Sequence, residues 1–204
     1  MNTFFTSDTH FGHGNIMKYC GRTEFMTLQD KKLYEFYLTQ SEQEQKKFKL
    51  SEESVNKMDK ELIKRWNERV KPDDLVIFVG DFCFKRSSEA PEGNVFQYYR
   101  QQLNGEIIFI KGNHDKNNGI KSKIISLTIE IGKRPIKIVH NPRFADAKYS
   151  INLVGHVHKN WKIQRIRQGF SFTDCINVGV DAWNYRPVTY SEIMNRYNQW
   201  LRKK

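Results

Sequence analysis

Leu75-Val76-Ile77-Phe78-Val79-Gly80-Asp81 is the stretch on which the fold turns. Five apolar residues in a row, bounded by the turn signal Lys71-Pro72-Asp73-Asp74 and by a glycine, predict a strand buried on both faces. Such a strand needs cover on each side, and the residues just past it lie at the sheet edge where α/β folds bind ligands. Working outward, Thr3-Phe4-Phe5-Thr6, Glu106 to Ile110, Ile151 to Val154 and Cys175 to Val178 read as further strands. Residues 123–131 and 135–140 read as a pair around Gly132-Lys133-Arg134. Helical spacing appears around Val95 to Leu103 and from Ser191 to Leu201. Strands first alternate with helices and then succeed one another directly, which predicts an α/β fold with sheets packed face to face and helices outside. We expect one domain over residues 1–204.

The stretch from Leu28 to Val70 contains no proline or glycine. Leu33, Phe36 and Tyr37, then Met58, Leu62, Ile63, Trp66 and Val70, recur at helical spacing. Two helices are expected there, the first very polar over Ser41 to Lys49, the second capped by Ser51-Glu52-Glu53-Ser54. With too few apolar residues for its own core, this part reads as a polar helical excursion.

Composition excludes several classes. The 204 residues carry Lys+Arg 34 against Asp+Glu 23, a net charge of +11, which suits anionic partners: a phosphorylated small molecule, a nucleotide or nucleic acid. Fourteen Phe, nine Tyr and four Trp supply a globular core. The longest apolar runs are far shorter than a bilayer span, so no membrane segment is expected, and no signal peptide is visible at the N-terminus. Three widely spaced cysteines without a CxxC argue against a disulfide scaffold and for a cytoplasmic, reducing location.

Polar, metal-capable residues gather just past the predicted strands: Asp8-Thr9-His10, Gly80-Asp81, Gly112-Asn113-His114-Asp115, His140-Asn141-Pro142 and Gly155-His156-Val157-His158. Five of the six histidines lie in these motifs. Each motif alone is an ordinary turn or strand end. Together they bring carboxylate, imidazole and amide oxygen to one edge, a donor set for divalent Zn, Mn, Fe or Ni. In Asp-x-His and His-x-His, alternation points both side chains to one side. Asp81, with no carboxylate beside it, is suited to bridging two ions.

In this order the motifs resemble the calcineurin-like metallophosphoesterase superfamily, with the likeness running from Asp8 to His158. The segment His10-Phe11-Gly12-His13-Gly14-Asn15-Ile16 with Arg22, and Asn177 to Trp183, resemble a smaller bacterial and phage-type branch. The second block, Gly80-Asp81-Phe82-Cys83-Phe84-Lys85-Arg86, departs from the Gly-Asp-x-Val-Asp-Arg-Gly of phosphoprotein phosphatases. The resemblance implies a four-layer αββα sandwich of two mixed β-sheets flanked by helices, with a dinuclear metal site at the C-terminal edge of the strands. It implies that Asp8, His10, Asp81 and His158 hold one metal, and that Asp81, Asn113, His140 and His156 hold a second. His114 would then be the acid or phosphate-contacting histidine, oriented by Asp115. Two divalent ions are the implied cofactors, manganese first, with iron, zinc or nickel as alternatives.

The implied function is hydrolysis of phosphate esters, phosphodiesters above all, by a metal-bridging hydroxide. A phosphomonoesterase or a catalytically silent binding module are the alternatives on the same fold. His13, Asn15 and Arg22 are candidate substrate contacts from their proximity to His10. Lys85 and Arg86 could line the phosphate entry, and Trp183 and Tyr185 could stack on a base or pack in the core.

Overall fold

A computed structural model describes residues 1–84, 88–91, 93–116 and 119–203, so Lys85 and Arg86 lie outside the described residues. Strand β2 (Leu75–Val79) is the middle of the first sheet's parallel part. It pairs in parallel with β1 (Thr3–Thr6) and β3 (Glu106–Ile110), and the short β9 (Val188–Thr189) runs antiparallel to β1. The second sheet has the order β4-β5-β6-β8-β7. Its β5 (Arg134–Val139), β6 (Ile151–Val154) and β8 (Ser171–Asn177) are parallel, with β4 (Ser126–Ile131) and β7 (Ile163–Gln168) antiparallel at its edges. Two mixed sheets flanked by helices are the architecture the sequence implied.

Alternation along the strands builds two main cores and a smaller one around Val139, Val154 and Cys175. Phe5, Ile77, Val79 and Ile110 meet Ile136, Ile138, Leu153 and Ile176 between the sheets. Phe4, Val76 and Phe78 point the other way, onto helices α1 (Gly14–Cys20), α4 (Glu52–Asn67) and α5 (Val95–Arg100). Trp66 of α4 is 1% exposed there, its indole N–H donating to the Asn104 carbonyl. The last helix, α6 (Tyr190–Leu201), sends Ile193 and Tyr197 into the inter-sheet core.

The polar excursion holds three helices where the spacing predicted two. A break at 39–41 divides α2 (Leu28–Leu38) from α3 (Glu42–Lys47), because the Ser41 hydroxyl accepts from the Glu44 N–H and starts a new helix. Helix α3 buries no side chain. The α4 cap is Ser51, as read from the sequence. No helix among the described residues is long and apolar enough to cross a membrane.

Candidate metal centre

Because β1, β2, β3, β5, β6 and β8 run in the same sense within their sheets, their carboxyl ends all open toward one edge. The backbone there is unusual. Among the described residues, seven other than glycine have positive φ, and five of them are Asp8, His10, Asp81, His156 and His158. Each such left-handed residue costs about 1–2 kcal/mol, so the surrounding structure must impose it. Hydrogen bonds beyond the strand ends do so: Asp8 N–H donates to the Gly80 carbonyl at 3.0 Å and His10 N–H to the Asp81 carbonyl at 3.2 Å. Gly112 packs against the Asp81 carboxylate so closely that a Cβ there would collide with it.

Asp81 sits in the middle. Its Oδ2 lies 3.2 Å from His140 Nε2 and 3.6 Å from His10 Nε2, while its Oδ1 accepts the His114 N–H at 2.8 Å. Asp8 Oδ1 is 4.0 Å from both His10 Nε2 and His158 Nε2. Asn113 Oδ1 lies 3.0 Å from His140 Nε2 and 2.9 Å from His156 Nδ1. Two groups of donors result, Asp8–His10–His158 and Asp81–His140–His156, each compact enough for one ion. Cys20, His158 and Asp181 form a third grouping that shares His158.

The donors fit divalent cations on two observations. His10 Nε2 is buried without a hydrogen-bond partner among the described residues, although it faces two carboxylates. Burial also raises the Asp8 pKa against the pull of His140 and His158, and pushes His10 well below its ordinary value although Asp81 opposes it. Outer partners orient the imidazoles. His140 Nδ1 lies 2.7 Å from the Val79 carbonyl, leaving Nε2 for an ion, and His158 Nδ1 lies 3.0 Å from Asp181 Oδ2.

Asp181 had no role assigned from sequence. Its carboxylate also binds Arg22 through Nε at 2.8 Å and Nη2 at 2.9 Å. Arg22 is 0% exposed and donates to the carbonyls of Asp8 and Thr9. The expectation that Arg22 meets a substrate phosphate is therefore corrected: its guanidinium is enclosed and fastens the strained Asp8 turn to Asp181. Asp115 likewise acts on backbone, accepting from the N–H groups of Asp81, Phe82 and Gly112 and joining the loops after β2 and β3. Trp183 and Tyr185 are partly buried and pack against the hydrophobic core, which is the second of the two places expected for them.

His10, His13, His114 and His158 face a cavity of about 310 Å³ that Tyr19 and Lys159 also line. His13 stacks on Phe84 with centroids 4.4 Å apart, and burial together with the nearby His114 lowers its pKa to about 4. Asn15 is exposed on the first turn of α1 and is not among the residues lining this cavity.

For His140, burial works against protonation, but the Asp81 and Asp8 carboxylates outweigh it and raise the pKa to about 9. His158 rises to about 10, where burial is outweighed chiefly by its hydrogen bond to Asp181. Without an ion both imidazoles carry a proton at neutral pH, and a metal must displace it. Metal uptake is therefore expected to release protons at pH 7 and to tighten as pH rises. Calorimetry of Mn²⁺ binding in buffers of different ionisation enthalpy reads this directly, and uptake without proton release would contradict it.

An α/β double sheet whose strand ends gather carboxylates, imidazoles and an amide defines a candidate metalloprotein. The sequence profile of the calcineurin-like phosphoesterases matches residues 1–203, and the chain belongs to that family, whose general chemistry is metal-dependent phosphoester hydrolysis. It is 31% identical over 200 residues to the uncharacterized protein MJ1445 of Methanocaldococcus jannaschii, covering 94% of this chain and 88% of that one. Among solved structures it resembles AQ665 of Aquifex aeolicus, a protein of unknown function. The TM-score is 0.57 at 20% identity, over 95% of this chain and 97% of the other, a likeness of fold.

Proposed function

We propose that the protein hydrolyses phosphodiesters at a dinuclear centre, with Asp8, His10, Asp81 and His158 on one ion and Asp81, Asn113, His140 and His156 on the other. The observation that carries this is the Asp81 carboxylate between His10 and His140, with the unpartnered His10 Nε2 facing it. Divalent ions bound there, manganese the first choice, lower the pKa of water toward neutrality and offset charge on the phosphoryl oxygens.

The chain's own residues supply the rest. His114 is exposed and faces the same cavity as His10 and His158, and its backbone is held by Asp81 Oδ1. From there it would donate a proton to the departing ester oxygen, a role suited to an imidazole. Asp115 keeps that loop in place through Gly112. His13, held neutral, would contact the ester from the cavity wall. The diester preference is supported by two clefts flanking the cluster, one over His10 and His114 and one over Asn113 and His140. A diester has a group for each, whereas a monoester would leave one unfilled. Substrates on this reading are phosphorylated small molecules, nucleotides or nucleic acid, and the buried thiols of Cys20, Cys83 and Cys175 suit a cytoplasmic setting.

The test is Mn²⁺-dependent turnover of a chromogenic phosphodiester. His114→Ala should lower kcat by about 10²-fold or more while Mn²⁺ stoichiometry stays unchanged. Full activity in that variant would remove His114 from the acid role, and absence of turnover in metal-loaded wild type would favour a binding module.

A further inference from the structure

The larger of the two clefts has chemistry of its own. It measures about 540 Å³ and starts at Asn113 and His140, then runs over the outer face of the β4–β5 edge. Lys111, Lys116 and Lys137 line it, and no carboxylate does among the described residues. None of the three is in an ion pair there with a described carboxylate. At the mouth stand Phe144, 70% exposed, and Ile125, 72% exposed. Two large apolar side chains thus share the lining of a cleft that also carries three lysines. Uncompensated ammonium groups beside an exposed aromatic ring fit a ligand that is anionic and planar at once.

We infer that this cleft is a nucleotide subsite, taking the nucleoside phosphate next to the scissile phosphate, its base against Phe144 and its further phosphate on Lys111 and Lys137. The inference rests on the phosphodiesterase reading for what is cut, but the subsite's binding stands independently of turnover. Its continuity with Asn113 and His140 makes the occupant part of the ester itself rather than a separate protein. A cleft of this size holds one nucleotide unit, whether that unit is free or the end of a strand.

Fluorescence anisotropy of a short labelled oligothymidylate, in EDTA so that no hydrolysis occurs, tests it. Binding is expected to weaken as salt rises and to be competed by thymidine 5′-phosphate far better than by inorganic phosphate. Lys137→Ala with Phe144→Ala should raise Kd about 10-fold or more, while Phe144→Trp should keep or tighten binding. Unchanged thermal unfolding and Mn²⁺ uptake in these variants exclude a folding defect. A Kd unaffected by the double variant, or competition by phosphate equal to that by thymidylate, would overturn the assignment. Thymidine 5′-phosphate competing as well as unlabelled oligomer identifies a mononucleotide-sized ligand, and a clear advantage of the oligomer identifies a strand end. Loss of hydrolysis with binding intact would count against the proposed reaction alone.

Discussion

Asp81→Asn is expected to reduce metal-dependent turnover by ~10³-fold or more, about 4 kcal/mol of barrier, and to lower the amount of metal retained. Among the described residues its carboxylate is the one within 4 Å of both His10 and His140 in the ion-pair geometry, so it serves both halves of the centre. Burial alone would raise its pKa, yet the hydrogen bond and charge of His140, with His10, hold it well below the usual carboxylate range. It is thus ionised at working pH, and an amide replaces that charge with a neutral group. Asn can still accept the His114 N–H through its oxygen, so the loop after β3 should keep its place. Metal content by mass spectrometry of the native protein, beside kcat, checks both parts. A variant that retains two ions and most of its activity would refute the bridging role.

The second large effect is on stability. Arg22→Ala should destabilise the protein by about 3–5 kcal/mol, because it takes the two-nitrogen contact from a buried carboxylate, Asp181, and leaves it with His158 alone. For a chain of this size that is roughly a 6–20 °C fall in melting temperature. It also removes the donors to the Asp8 and Thr9 carbonyls, so the left-handed turn at Asp8 loses part of its restraint. Arg22→Lys should recover only a fraction, since an ammonium cannot reproduce the two-nitrogen contact with Asp181. Thermal unfolding of metal-free protein separates this from any effect on substrate. A change in KM with unaltered melting would return Arg22 to the phosphate-binding role first expected of it.

The helical excursion shows how an element's place can be legible while its purpose is not. Its spacing and caps announce helices over 28–70, and Met58, Leu62 and Trp66 mark the buried stripe of α4. What α4 does depends on Asp59, whose carboxylate accepts the Gly12 N–H between His10 and His13 and the Tyr99 hydroxyl. A residue that reads as one more charge on a polar helix thus anchors the loop that carries the centre.

Strand positions, the sheet edge and the candidate ligands were readable from sequence because they obey local rules. Apolar runs of strand length, the glycine that ends them and the polar residues just after lie within a few residues of one another. The partners that hold those ligands do not. Arg22 and Asp181 are 159 residues apart, and Asp8 and His156 are 148 apart. The left-handed backbone at five candidate ligands is held by hydrogen bonds to residues far away in the chain, which no local pattern shows. The sequence by itself determined which side chains would stand at the edge. Only the packing of one sheet on the other decided which would face an ion, which would brace its neighbours and where a cleft would open beside them.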